Sequence, residues 1–263
     1  MARHVLTLLL LALLAAAPAR AQSVSLATLT WEPYIGERLV EEGYVAAIVR
    51  EAFTRGGFET QLTYLPWMRT VERTRQGAFQ GYFPEYNNPA LEQDFVCSDP
   101  IPGGPIALFS RKGAAIVYTG VEDLRPYRLG VVRGYVNTIE IDEAEWLAKE
   151  ESASDLENLR KLQAGRVDVI VADAYVGQHL AREHSGAALA IALVTILEHK
   201  PLYLCVPRKR QDHASILETF NAGLATMSND GTMRAIMDRH GFTMDEFALP
   251  GGEATPLAHP KQP

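Results

Sequence analysis

The sequence predicts an α/β protein built on a mostly parallel sheet. Two observations carry this: short β-prone apolar runs alternate with stretches of helical periodicity, and glycines or prolines mark the switch points. Residues 24 to 30 read as a strand. It ends in Trp31, Glu32, Pro33, Tyr34, Ile35 and Gly36, whose composition is that of a loop. Val45, Ile48, Val49, Ala52 and Phe53 then fall at i, i+3, i+4, i+7 and i+8, the stripe of a helix with one buried face, and Gly56 and Gly57 stop it. A second strand is predicted over 58–65, and Pro66 opens a helix to about Gln76.

Between Gly77 and Pro105 the prolines Pro84, Pro89, Pro100, Pro102 and Pro105 predict an absence of long regular elements, with a short strand near Gly81. An apolar strand resumes at Ile106 to Ser110. A new α/β series begins with a buried strand at 128–132, which ends at Gly134 and leads into a predicted helix over 135–149. Ser154 and Glu157 have capping-box spacing at the start of a helix that carries Leu156, Leu159 and Leu162 and stops at Gly165. Residues 167–172 read as a strand, 173–183 as a helix, and 190–196 and 202–206 as two further strands. Two closing helices present Ile216, Leu217, Phe220, Leu224 and Met227, and then Met233, Ile236 and Met237, on their inner faces. The proline-bearing polar tail, 251–263, is expected to be disordered.

The first 21 residues are set aside from fold reasoning. Arg3 and His4 precede an unbroken apolar run from Val5 to Ala17, shorter than the ~20 residues that cross a bilayer. Ala19, Arg20 and Ala21 give a small-x-small cleavage site, so the segment reads as a signal peptide cut after Ala21, and the rest as a chain released outside the cytoplasm. Loss of Arg3 and Arg20 moves the formal charge from −7 to −9. An acidic chain without a basic run is a poor partner for nucleic acid or anionic lipid. Neither a nucleophile elbow, nor a metal-spaced histidine pair, nor a cofactor glycine motif is present, so no cofactor is expected. Cys97 and Cys205 are the only cysteines; either a disulfide or two buried thiols would suit an exported chain.

Several separated stretches together resemble the family 3 bacterial extracellular solute-binding proteins, whose best-known members serve polar amino acid uptake. They are Pro66, Trp67 and Arg69 followed by Gly77; Ser98, Asp99, Pro100 and Ile101; Gly130 to Tyr135; Leu162, Gly165, Arg166, Val167 and Asp168 followed by Asp173; and Asp230, Gly231 and Thr232 with Ile236, His240 and Gly241. The resemblance implies a periplasmic-binding-protein-like type II fold of two α/β lobes joined by two crossing strands. One lobe would take 22–107 plus 204–250 and the other 108–203. It brings Cys97 and Cys205 near one another and so favours the disulfide. It also implies a periplasmic monomer that binds a small polar ligand and delivers it to the membrane permease of an ABC transporter, or reports it to a membrane receptor. A dehydratase-like enzyme on the same fold is the catalytic alternative, and a non-enzyme is expected.

Pocket residues of such a fold lie on loops after strand ends. Trp31 and Tyr34 follow the first strand and could wall a site for an apolar or cationic group. Trp67 and Arg69 open a helix, and Arg69 could clamp a carboxylate or pair on the surface with Glu72 or Glu32. Tyr82, Glu85 and Tyr86 fall where members of the family contact a ligand amino group. Arg133, Gly134 and Tyr135 stand at an expected helix start that would favour an anion, and Asp173 matches the acid that meets a substrate ammonium, though a helix cap would also explain it. The arginine that grips the α-carboxylate in amino acid binders is missing: its place holds Leu91.

Overall fold

The computed structural model describes residues 22–86, 89–184 and 191–242. The expected signal segment and tail lie outside the described residues. No described helix is long and apolar enough to cross a membrane.

In the first lobe, β1 (Gln22–Thr28) pairs in parallel with β2 (Phe58–Tyr64) and β3 (Gly81–Glu85). The helices α1 (Tyr44–Arg55) and α2 (Trp67–Arg75) make the two crossovers. α1 buries Val45, Ile48, Val49, Ala52 and Phe53, the face its periodicity predicts. The second lobe repeats the plan with β6 (Arg128–Val132), β7 (Ala148–Ser152) and β8 (Val169–Asp173) in parallel, and with α3 (Ile139–Glu143), α4 (Asp155–Gln163) and α5 (Ala174–His184). α6 (His213–Asp230) and α7 (Thr232–Arg239) close the described chain, and α6 packs on α1.

Two long antiparallel strands, β5 (Ile101–Arg111) and β9 (Ile191–Pro207), tie the lobes together in the sheet order β2-β1-β3-β9-β5-β8-β6-β7. β9 serves both lobes, with Tyr203 and Cys205 opposite β3 and Ile191 to Glu198 opposite β5. The short strand β4 (Phe95–Cys97) also pairs with β9. Its last residue lies opposite Cys205, and the two cysteines are joined in a disulfide.

Three sequence expectations change. β5 begins at Ile101 and runs through Pro102 and Pro105, where prolines were expected to bar a strand; the register shifts between Ile101 and Gly104, and such a bulge tolerates residues without an N–H donor. The same irregularity takes up Pro201, so the two strands expected over 190–196 and 202–206 are one strand, β9. The helix expected over 135–149 is only Ile139–Glu143, capped by Thr138, after which Ala148–Ser152 forms an edge strand. That strand is polar and largely exposed. Its ladder is held by backbone hydrogen bonds, and it carries no alternating apolar signal that a sequence pattern could detect.

Candidate functional site

The strand ends of both lobes meet across the cleft. The first turn of backbone after β1 is a tight loop in which Trp31 bridges Ile35, and it turns both aromatic side chains inward. Trp31 and Tyr34 are 7 % and 0 % exposed. Trp67, the first residue of α2, is also buried, and Tyr86 directly follows β3. From the second lobe, Tyr135 enters between the two tryptophans. Its ring centroid lies 6.4 Å from that of Trp31 and 5.5 Å from that of Trp67, nearly perpendicular to both.

Polar contacts accompany the rings. Trp31 Nε1 donates to Asp155 Oδ2 at 3.1 Å, Trp67 Nε1 to the Gly134 carbonyl at 2.9 Å, and Tyr34 and Tyr86 Oη to Asp173 Oδ2 at 2.8 and 3.0 Å. Glu32 Oε2 lies 3.1 Å from His179 Nε2. Each of these pairs joins one lobe to the other. Gly104 of β5 lies beside the Tyr34–Asp173 bond, so close that a Cβ there would collide with Tyr34 Oη and approach Asp173 Oδ2 to 2.6 Å.

Three carboxyl groups are buried here, and burial raises the pKa of each. Asp155 is pushed up to about 6, against the Trp31 N–H and the nearby Tyr135 hydroxyl, which lower it. Asp173 rises to about 7, opposed by the Val176 N–H and by Tyr34, Tyr86 and the Tyr175 N–H. Glu85 rises to about 8, opposed by Tyr82, the Tyr86 N–H and the more distant Lys200. The three differ in saturation. Asp173 Oδ1 accepts the N–H groups of Tyr175 and Val176, capping α5, while its Oδ2 holds two tyrosines. Glu85 accepts from Tyr82 Oη and the Tyr86 N–H. Asp155 Oδ1 is buried without a hydrogen-bond partner, and so is Glu32 Oε1.

Two spaces open among the described residues of the cleft. A narrow one of about 20 Å³ is enclosed by Trp31, Trp67, Glu85, Tyr86 and Tyr135. A wide one of about 580 Å³ opens beside it, between Trp31, Glu32, Trp67, Tyr135, Asp155 and His179. The second lies within the ~300–1,000 Å³ typical of small-molecule sites.

No protein-family model matches the chain, and no curated protein does. Solved structures do. An ancestral arginine-binding protein bound to arginine superposes with a TM-score of 0.72 at 18 % identity, over 84 % of this chain and 98 % of its own. A histidine kinase sensor domain with similarity to periplasmic binding proteins gives 0.73 at 19 %, covering 84 % and 96 %. The GluR0 ligand-binding core from Nostoc punctiforme, in complex with L-glutamate, gives 0.68 at 19 %, covering 82 % and 98 %.

The fold is periplasmic-binding-protein-like. In that fold the gap between the lobes is where the strand ends converge, and nine of the expected residues stand in or directly behind it: Trp31, Tyr34, Trp67, Tyr82, Glu85, Tyr86, Gly134, Tyr135 and Asp173. Arg69 and Arg133 do not reach it. Arg69 is exposed on α2 and makes no ion pair among the described residues; Arg133 is exposed and pairs with Glu151 at 2.7 Å. The helix expected at Gly134 starts instead at Ile139, and Gly134 offers the cleft an acceptor, its carbonyl. The sequence reading did not single out Asp155, Glu32 or His179 as site residues. Asp155 had a signal: it follows β7, but the helix expected over that stretch concealed a strand end.

Proposed function

We propose that this chain is an exported solute-binding protein of the family 3 kind, which captures a small polar, amine-bearing ligand between its lobes for ABC-type uptake. The observation that carries the reading is the composition of the cleft: two tryptophans, three tyrosines and three buried carboxyl groups gather at the lobe boundary. The positively charged Arg69 and Arg133 point to solvent. Aromatic faces and carboxylates together suit a cation. The resemblance in sequence, the arginine- and glutamate-bound neighbours and the apolar segment ahead of Gln22 support the periplasmic setting, with lobes divided near the β5–β9 irregularity and a membrane permease as partner.

Ligand that touches both lobes stabilises the closed arrangement by its differential affinity, and a membrane partner can read that closure. The protein is read as a monomeric binder: Glu85 and Asp173, the acids a catalyst would employ, spend their oxygens on protein donors. A second reading, a ligand sensor, is favoured by one observation, the likeness to a kinase sensor domain. Thermal unfolding and solution scattering against amino acids, amines and small carboxylates test the proposal. Ligand at ~100 times its Kd adds about 2.7 kcal/mol to stability; unchanged melting and scattering across all three classes refute it.

A further inference from the structure

We infer that the wide chamber, rather than the narrow cage, is the ligand seat, and that Asp155 Oδ1 and Glu32 Oε1 are its anchors for an organic cation carrying several N–H donors, an amine or guanidine. The inference rests on the binding reading above and deepens it to a substrate class.

Unmet hydrogen-bonding capacity marks both anchors. A buried carboxyl oxygen without a donor costs free energy and is rare in a folded protein. Asp155 is 5 % exposed, yet one of its oxygens has no partner while the other is held by Trp31. Glu32 repeats the arrangement, with Oε2 beside His179 and Oε1 buried and unpartnered. Both residues line the same 580 Å³ space. Two unsatisfied acceptors, buried on side chains that line one chamber from opposite lobes, come within reach of one ligand with at least two donors when the lobes part.

The lining sets the rest of the chemistry. Among the described lining residues the carboxyl groups are Glu32, Glu37, Asp155 and Glu183, against one guanidinium, the exposed Arg38. Trp31, Trp67, Leu29 and Leu180 offer apolar and π surface for the body of the ligand. An anion would meet four carboxyl groups against that one guanidinium. The narrow cage has too little room for anything beyond about one water.

Calorimetric titration of the full chain with 1,4-diaminobutane, agmatine, L-arginine, L-glutamine and L-glutamate, at neutral pH, tests this. The expected result is that at least one cation binds and that Asp155→Asn and Glu32→Gln, each of parental volume, weaken it roughly tenfold or more, while circular dichroism shows both variants folded. Cation binding with parental affinity in both variants overturns the anchors and leaves the binding reading standing. Binding of L-glutamate or L-glutamine alone overturns the substrate class and again leaves the reading intact. Silence from all five probes in the parent protein, with unchanged scattering, overturns both.

Discussion

The narrow cage and the wide chamber share Trp31, Trp67 and Tyr135 as walls, yet they treat their carboxyl groups in opposite ways. Glu85 and Asp173, at and behind the cage, have every oxygen engaged by tyrosine hydroxyls or backbone N–H groups, and the space left over is close to nil. Asp155 and Glu32, at the chamber, each keep one oxygen unpaired above a volume that could hold an amino acid or a diamine. Burial and a raised pKa are common to Asp155 and Asp173 and therefore do not separate them. Saturation does: a satisfied acid holds the lobes together, whereas an unsatisfied one waits for a donor.

The sharpest way to break that contrast is Asp173→Ala. It strands two tyrosine hydroxyls and two helix N–H groups, and a loss of about 3–5 kcal/mol in stability is expected by denaturant unfolding; a loss below 1 kcal/mol would remove the structural role assigned here. Next in size is the double change Cys97→Ser, Cys205→Ser. The bond closes a loop across a separation of 108 residues beneath Tyr82, and its removal should lower stability by about 2–5 kcal/mol without moving the affinity of the chamber for a cation.

Proton linkage gives the third test. Asp155, Asp173 and Glu85 bind protons more tightly in the folded chain, at about 6, 7 and 8, than at their ordinary values of 3.8 and 4.5. The native state thus holds the extra protons, so stability of the ligand-free protein should fall as pH rises from about 4 and level off above about 8, by about 1.4 kcal/mol per pH unit for each extra proton held. Melting curves across that range that rise with pH would contradict it. Cation affinity should run the other way and weaken as pH drops through about 6, where Asp155 takes up its proton.

The two smaller tests sit at the shared walls. Trp67→Phe keeps an aromatic ring edge-on to Tyr135 but deletes the Nε1 bond to Gly134, and about 1 kcal/mol of stability should go with it. Asp155→Asn keeps an oxygen for Trp31 and sheds a buried charge, so its Tm should be no lower than that of the parent protein at pH 7, even as cation binding is lost. A clear drop in Tm would place Asp155 with Asp173 among the structural acids.

Most of the fold was legible because its buried elements announce themselves. α1, α6 and the central strands follow 3.6- or short-run apolar patterns that only burial on one or both faces would select. The edge strand β7 and the proline-bearing start of β5 were hidden, since one is held by backbone bonds alone and the other by a bulge. In the site, aromatic residues at strand ends were readable as cleft residues. Partnering was not: that Arg133 is drawn to Glu151, or that Asp155 is left with a bare oxygen, depends on which side chains the folded chain brings within 3 Å, and no local pattern encodes it.

Gly104 occupies a place that no side chain could share. The strand that crosses between the lobes passes through the spot where Tyr34 reaches Asp173, and it gets by only because it has nothing to show on that side. The missing side chain works like a keyhole cut through the door frame. A single methyl there would jam the bolt, because it would land on the Tyr34 hydroxyl and force it off Asp173.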